Sequence, residues 1–172
     1  MRGTGQGVGL VIDLKLLLTI HEKMKGRVRY SLGAKAKSLD VDSNDISFID
    51  CSGDVRYLLA RASNGELRIP DGSANQLEYA KRNWKQIKPY SNVHYAKEDD
   101  SRLFIAFLTP TKEQAEKNAM DGHARGRHVW LLMSQDGEMQ TIESRGGRGP
   151  DSQPWEKYKD CKWCFEIPVG TV

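Results

Sequence analysis

A chain of 172 residues with 38% hydrophobic side chains is long enough to bury one core and has the composition of a soluble fold. With 26 Lys and Arg against 23 Asp and Glu, its net charge of +3 is too small for a chain built around nucleic acid. The longest apolar stretch, Leu14 to Ile20, is interrupted by Lys15 and falls short of the length that crosses a bilayer.

Met1 to Gly9 alternates glycine with other residues and carries a single positive charge. It reads as a flexible N-terminus over residues 1–9, neither a secretory signal nor a phosphate loop, because no strand precedes it and the Gly-Lys-Ser/Thr ending is missing. Residues 10–172 are then expected to form one domain. Apolar residues at helical spacing predict a helix over Val8 to Lys25, stopped by Gly26. A short strand over Arg27 to Leu32 and a polar surface loop over Lys35 to Asn44 follow. Ile46 to Asp50 is a brief apolar run that delivers the chain to Cys51. Val55 to Ala62 reads as a helix with Val55, Leu58, Leu59 and Ala62 along one side.

Turn residues fill Ser63 to Asn75, and a helix over Gln76 to Lys88 is expected to stop at Pro89. Arg102 to Leu108 has the aromatic and branched residues of a strand, and Lys112 to Met120 forms a small helix. His128 to Met133 and Met139 to Glu143 flank Asp136-Gly137, a strong cue for a hairpin. Trp163 to Ile167 reads as a last, edge strand. Helices early and antiparallel strands late predict an α+β fold, with the N-terminal helices packed on a central antiparallel sheet.

Asp50-Cys51-Ser52-Gly53 stands at a strand-to-helix junction, where unpaired backbone N–H groups and the helix dipole favour a negative sulfur. Ser52 helps end the entering segment, Gly53 permits close backbone packing, and the Cys51 N–H is a candidate oxyanion donor. The Asp136-Gly137 hairpin brings His128, at the start of one strand, beside Glu143, at the end of the next. A carboxylate there can hold one imidazole nitrogen while the other faces Cys51, the arrangement of nucleophile, base and orienting acid. His123 competes as base but lies in the loop sequence G-H-A-R-G. A buried structural thiol at Cys51, a strand-end hydrogen bond at His128 and an ion pair of Glu143 with Arg127 or Arg145 are the alternatives.

Arg125, Arg127, Arg145 and Arg148 form a basic cluster suited to an anionic substrate, as do Lys81, Arg82, Lys85 and Lys88 if these are not simply a solvated helix face. Trp155, close in sequence to Arg145, is a candidate groove wall or a packing residue. Cys161-Lys-Trp-Cys164 has redox-motif spacing but does not open a helix; reduced structural thiols, a local disulfide, and redox or metal chemistry all remain open there. Zinc lacks a complete ligand set, and no cofactor is expected.

D-C-S-G at Asp50 to Gly53, R-H-V-W-L-L at Arg127 to Leu132 and T-I-E-S-R-G-G at Thr141 to Gly147 resemble the NlpC/P60 cysteine-peptidase family over most of the region from Tyr30 to Gly149. The resemblance implies a circularly permuted papain-like arrangement and metal-free cleavage of peptide stems of bacterial peptidoglycan, often beside γ-linked D-glutamate. It gives Cys51 the nucleophile role and His128 the base role. The third position, often histidine in that family, falls on Glu143. Tyr30 resembles a tyrosine lining the catalytic pocket, although its connection to Cys51 is longer than usual. Ser52, Arg145 and Trp155 complete the expected pocket.

A cysteine acyltransferase of related fold and a noncatalytic wall-binding module are the competing classes. Without a signal or a repeated wall-binding module, delivery from the cytoplasm to the wall of a target bacterium is expected through a secretion apparatus, a phage particle or a partner. Small amidase effectors delivered between bacteria and phage lysis enzymes resemble this organisation, and the former class implies an immunity protein.

Overall fold

The computed structural model describes residues 10–170, so the glycine-rich stretch expected to be a flexible terminus lies outside the described residues. Helix α1 (Leu14–Met24) starts where the Asp13 carboxylate accepts the Leu16 N–H at 3.0 Å, and it buries Leu17, Ile20, His21 and Met24 along one stripe. It is shorter than the apolar spacing suggested because this cap fixes its first turn at Leu14. Arg27 to Leu32 is not a strand: only an isolated parallel bridge joins Arg29 to Phe48.

Helix α2 (Cys51–Ala62) begins at the cysteine itself, four residues before the periodic apolar run, because Asp50 caps Gly53 N–H at 2.8 Å. Ten of its twelve residues are buried, which makes it the central helix. Helix α3 (Ser73–Asn83) starts and stops earlier than expected: the chain turns extended at Trp84 and Lys85–Gln86 becomes strand β1, well before Pro89. Helix α4 (Lys112–Asp121) has a reciprocal Thr111/Gln114 capping box and no buried residue, so its termini rather than its packing define it.

The remaining strands are β2 (Leu103–Leu108), β3 (His128–Gln135), β4 (Glu138–Arg145), β5 (Gly149–Asp151) and β6 (Trp163–Ile167). They form an antiparallel sheet in the order β1-β6-β2-β3-β4-β5. Strand β6 is therefore not an edge; the exposed pair Lys85–Gln86 shields it on one side. Asp136 and Gly137 both take positive φ, 55° and 79°, and join β3 to β4 through a two-residue turn that pairs Gln135 with Glu138.

Alternation along the strands divides the core. Leu103, Ile105, Phe107, Val129, Leu131 and Ile142 pack with α1 and α2. Phe104, Ala106, Trp130, Leu132 and Met139 pack beneath Tyr90, Val93 and Ala96 of a 3-10 turn (Tyr90–Ala96), with Trp155 and Tyr158 of a second (Trp155–Tyr158) against them. The fold is thus α+β, with helices on one face of an antiparallel sheet. No helix among the described residues is long and apolar enough to cross a membrane.

Candidate functional site

The N-terminus of α2 is held by charge as well as by its cap. The Lys35 ammonium lies 2.7 Å from both Asp50 oxygens and 2.8 Å from Ser52 Oγ, and the Gly33 N–H donates to Asp50 Oδ2 at 3.0 Å. Gly53 is needed here: a Cβ would stand 2.9 Å from Asp50 Oδ1 and 3.0 Å from the Ala34 carbonyl oxygen. Cys51, 9% exposed, follows this clamp. The Tyr30 hydroxyl and the His128 imidazole both lie within interaction range of its sulfur. Burial, then the charges of Cys51 and Asp50, push the Tyr30 phenol up to about 12.

His128 and Glu143 meet as the hairpin predicted. The β3–β4 register, from Gln135↔Glu138 to Leu131↔Ile142, returns the chain so that the start of β3 lies beside the end of β4, where the two side chains meet. His128 Nε2 lies 2.7 Å from Glu143 Oε1, leaving Nδ1 as the nitrogen for the sulfur. Trp130 stacks on the imidazole at 5.4 Å and fixes its plane. Burial alone would lower the imidazole pKa, but hydrogen bonding to Cys51 and Glu143 and their charges outweigh it and raise His128 to about 9.

Glu143 is fully buried and has no lone pair to spare. Its Oε1 accepts from His128 and the Tyr158 hydroxyl; its Oε2 accepts from the Thr141 hydroxyl and, at 3.1 Å, from Gln153 Nε2. Burial would push this carboxyl up, yet the hydrogen bonds from His128, Thr141 and Tyr158 hold it below its ordinary value. Asp54, one turn after Cys51 on α2, is also fully buried and lies within reach of the Glu143 charge. Neither Asp54 oxygen meets a donor among the described residues, and burial followed by the charges of Glu143 and Asp50 pushes it up to about 8.

The other expected pocket residues are engaged with the protein itself. The Ser52 hydroxyl is buried against Lys35 and Asp50. Arg145 pairs with Asp151 at 2.5 Å. Trp155 lies half-buried in an aromatic cluster, 5.8 Å from Tyr90 and stacked 6.1 Å from His94. His123 is exposed on its loop beside Asp121 and Arg125. His21 is buried, with Nε2 3.0 Å from Ser152 Oγ, and burial pushes it down to about 4.

Cys161 and Cys164 are free thiols and form no disulfide. Cys161 Sγ donates to the Phe107 and Trp163 carbonyls; burial raises it to about 11, and burial also raises Cys164. Among the described residues no group of three His, Cys, Asp or Glu is placed to hold a metal ion.

Sequence reasoning missed Lys35, Asp54, Thr141, Gln153 and Tyr158. Thr141 alone was legible, two residues before Glu143 and so on the same strand face. A cleft of about 330 Å³ lined by Val28, Arg29, Tyr30, Gly147 and Arg148 adjoins the site through Tyr30. A larger cavity, about 730 Å³, opens at the turn end of the hairpin beside Leu14, Leu18 and Asp136, away from Cys51.

No protein-family model and no curated protein sequence matches this chain. Its fold does match solved structures. The P60 domain of an antigen from M. avium subspecies paratuberculosis superposes with a TM-score of 0.52 at 22% identity, covering 89% of this chain and 93% of that one. RipD from Mycobacterium tuberculosis, described as a non-catalytic NlpC/p60 domain protein adapted to peptidoglycan binding, superposes with a TM-score of 0.51 at 14% identity, covering 90% of this chain and 97% of its own. The fold of this chain is that of NlpC/P60 domains.

Proposed function

We propose that this chain is a cysteine hydrolase that cleaves an amide bond in bacterial peptidoglycan stem peptides, beside γ-D-glutamate, through a thioester on Cys51. The observation that carries the reading is the 2.7 Å contact of His128 Nε2 with Glu143, with the other imidazole nitrogen not taken by the carboxylate and the Cys51 sulfur within interaction range of the ring.

In the first half-reaction His128 accepts the Cys51 proton and the sulfur attacks the peptide carbonyl. The Cys51 N–H, at the first position of α2, and the Tyr30 hydroxyl are the donors available to the developing oxyanion. The imidazolium then gives its proton to the leaving amine. Water, deprotonated by the same imidazole, hydrolyses the thioester. Glu143 stabilises the imidazolium and stays ionised throughout.

A second reading has specific support, since RipD is described as non-catalytic and adapted to peptidoglycan binding. The two readings separate on one experiment. Purified protein and its Cys51→Ala variant are incubated with defined stem peptides and the products identified by mass. Hydrolysis by the wild type and a loss of at least about 10³-fold in the variant is expected. Retention of stem peptides on both proteins with turnover by neither would assign the chain to wall binding. Delivery to the wall of a target bacterium, by a secretion apparatus or a phage particle, belongs to the same proposal.

A further inference from the structure

The segment from Ser152 to Tyr158 is built onto β4 where it carries Glu143. Thr141 N–H donates to the Gln153 carbonyl at 2.7 Å, and Gln153 N–H donates back to Thr141 Oγ1 at 2.8 Å. A further bridge joins Gln140 to Pro154. From this anchored strap two side chains turn inward: Gln153 reaches Oε2 of Glu143, and Tyr158 reaches Oε1, the oxygen that also meets His128. The Tyr158 ring is wedged 4.0 Å from the Trp130 ring and 5.5 Å from the imidazole. Its hydroxyl therefore cannot drift without displacing the stack that fixes His128.

We propose that Tyr158 is a positioning residue of this site: its hydroxyl, sharing Oε1 with the imidazole, locks the Glu143 carboxylate in the orientation that holds His128, with Gln153 securing the other oxygen. The inference rests on the nucleophile reading of Cys51 for its catalytic meaning. The cage itself is independent of that reading.

Packing needs the Tyr158 ring; positioning needs the hydroxyl. Removing the hydroxyl takes one donor from an ionised carboxylate and so moves its titration up. The titratable groups facing Glu143 are His128 on β3, Asp54 on α2, His21 on α1, and Tyr90 and Tyr158 on the two covering turns. Their own titrations must be followed beside it.

The test is Tyr158→Phe, which keeps the ring, with the Glu143 carboxyl followed by carbon NMR across pH and assigned by its loss in Glu143→Gln. The midpoint should rise by about one pH unit. On a stem peptide, kcat should fall about tenfold with KM unchanged, the signature of a group acting in the transition state. Gln153→Met, which removes the donor on the other oxygen, should move the midpoint in the same direction and guards against a misfolded first variant. An unchanged Glu143 midpoint in both folded variants would overturn the proposal, as would a rise in KM with kcat intact. A raised midpoint in a protein that hydrolyses no stem peptide would uphold the cage and overturn the hydrolase reading instead.

Discussion

Glu143 on β4 and Asp54 on α2 are both carboxyl groups without solvent exposure, close enough for the charge of Glu143 to act on the titration of Asp54, and they shift in opposite directions. Glu143 collects donors from His128, Thr141, Gln153 and Tyr158 and is held below the usual carboxylate range. Asp54 collects none among the described residues and is pushed up to about 8, so at neutral pH it is an acid. Burial is common to both; the supply of donors decides which one carries charge. Keeping Asp54 neutral also spares the site a second buried negative charge beside the one that His128 needs. Environments that drive neighbouring acids apart in this way are the pattern by which a site assigns separate roles to similar groups.

The contrast breaks most visibly if Glu143 is made neutral. Glu143→Gln keeps the shape and removes the charge, and kcat/KM on a stem peptide should fall by about 10²-fold or more. The same variant has a signature in stability. The pKa of His128 is raised from 6.5 to about 9, so its ion pairing contributes stability that is fully present below 6.5 and lost as pH rises through 9. Denaturant melts of Glu143→Gln between those limits should show a flatter decline than the wild type. An equally steep decline would mean that the pair contributes nothing to the fold.

Asp54 offers the smaller effect. Its folded pKa is raised from 3.8 to about 8, so folding takes up a proton in that window, and its contribution is greatest below 3.8 and declines as pH climbs to 8. Asp54→Asn should remove a slope of about 1.4 kcal/mol per pH unit from unfolding free energies measured between pH 5 and 7, the value for one proton. If wild type and variant run parallel there, the carboxyl is charged in the folded state and the contrast with Glu143 disappears.

Much of this arrangement could be read from the residues, and the reason is local chemistry. Asp136-Gly137 requires positive φ at both positions, which sets the hairpin register and with it the meeting of His128 and Glu143. Asp50-Cys51 announced a helix N-terminus, though the cap moved its start forward to the cysteine. What escaped had no local pattern to announce it. A two-residue strand such as Lys85–Gln86 has no periodicity to detect, and without it β6 looked like an edge. Tyr158 lies on a short 3-10 turn, 15 residues beyond the carboxylate that it contacts, with no turn motif or sequence period to announce the return. Asp54 sits among apolar neighbours of a buried helix, where a carboxylate breaks the very pattern used to find the helix. The three cysteines carried the same message: identical thiols, told apart only by whether an imidazole faces them.

Cys51 rides on the helical half of the chain, whereas His128 and Glu143 are joined through one tight hairpin in the sheet half. Base and orienting acid can therefore form together from local contacts, while the sulfur joins them only when α2 docks on β3. Until α2 packs against β3 the thiol has no imidazole beside it, so whatever reactivity Cys51 has depends on the two halves of the chain being joined.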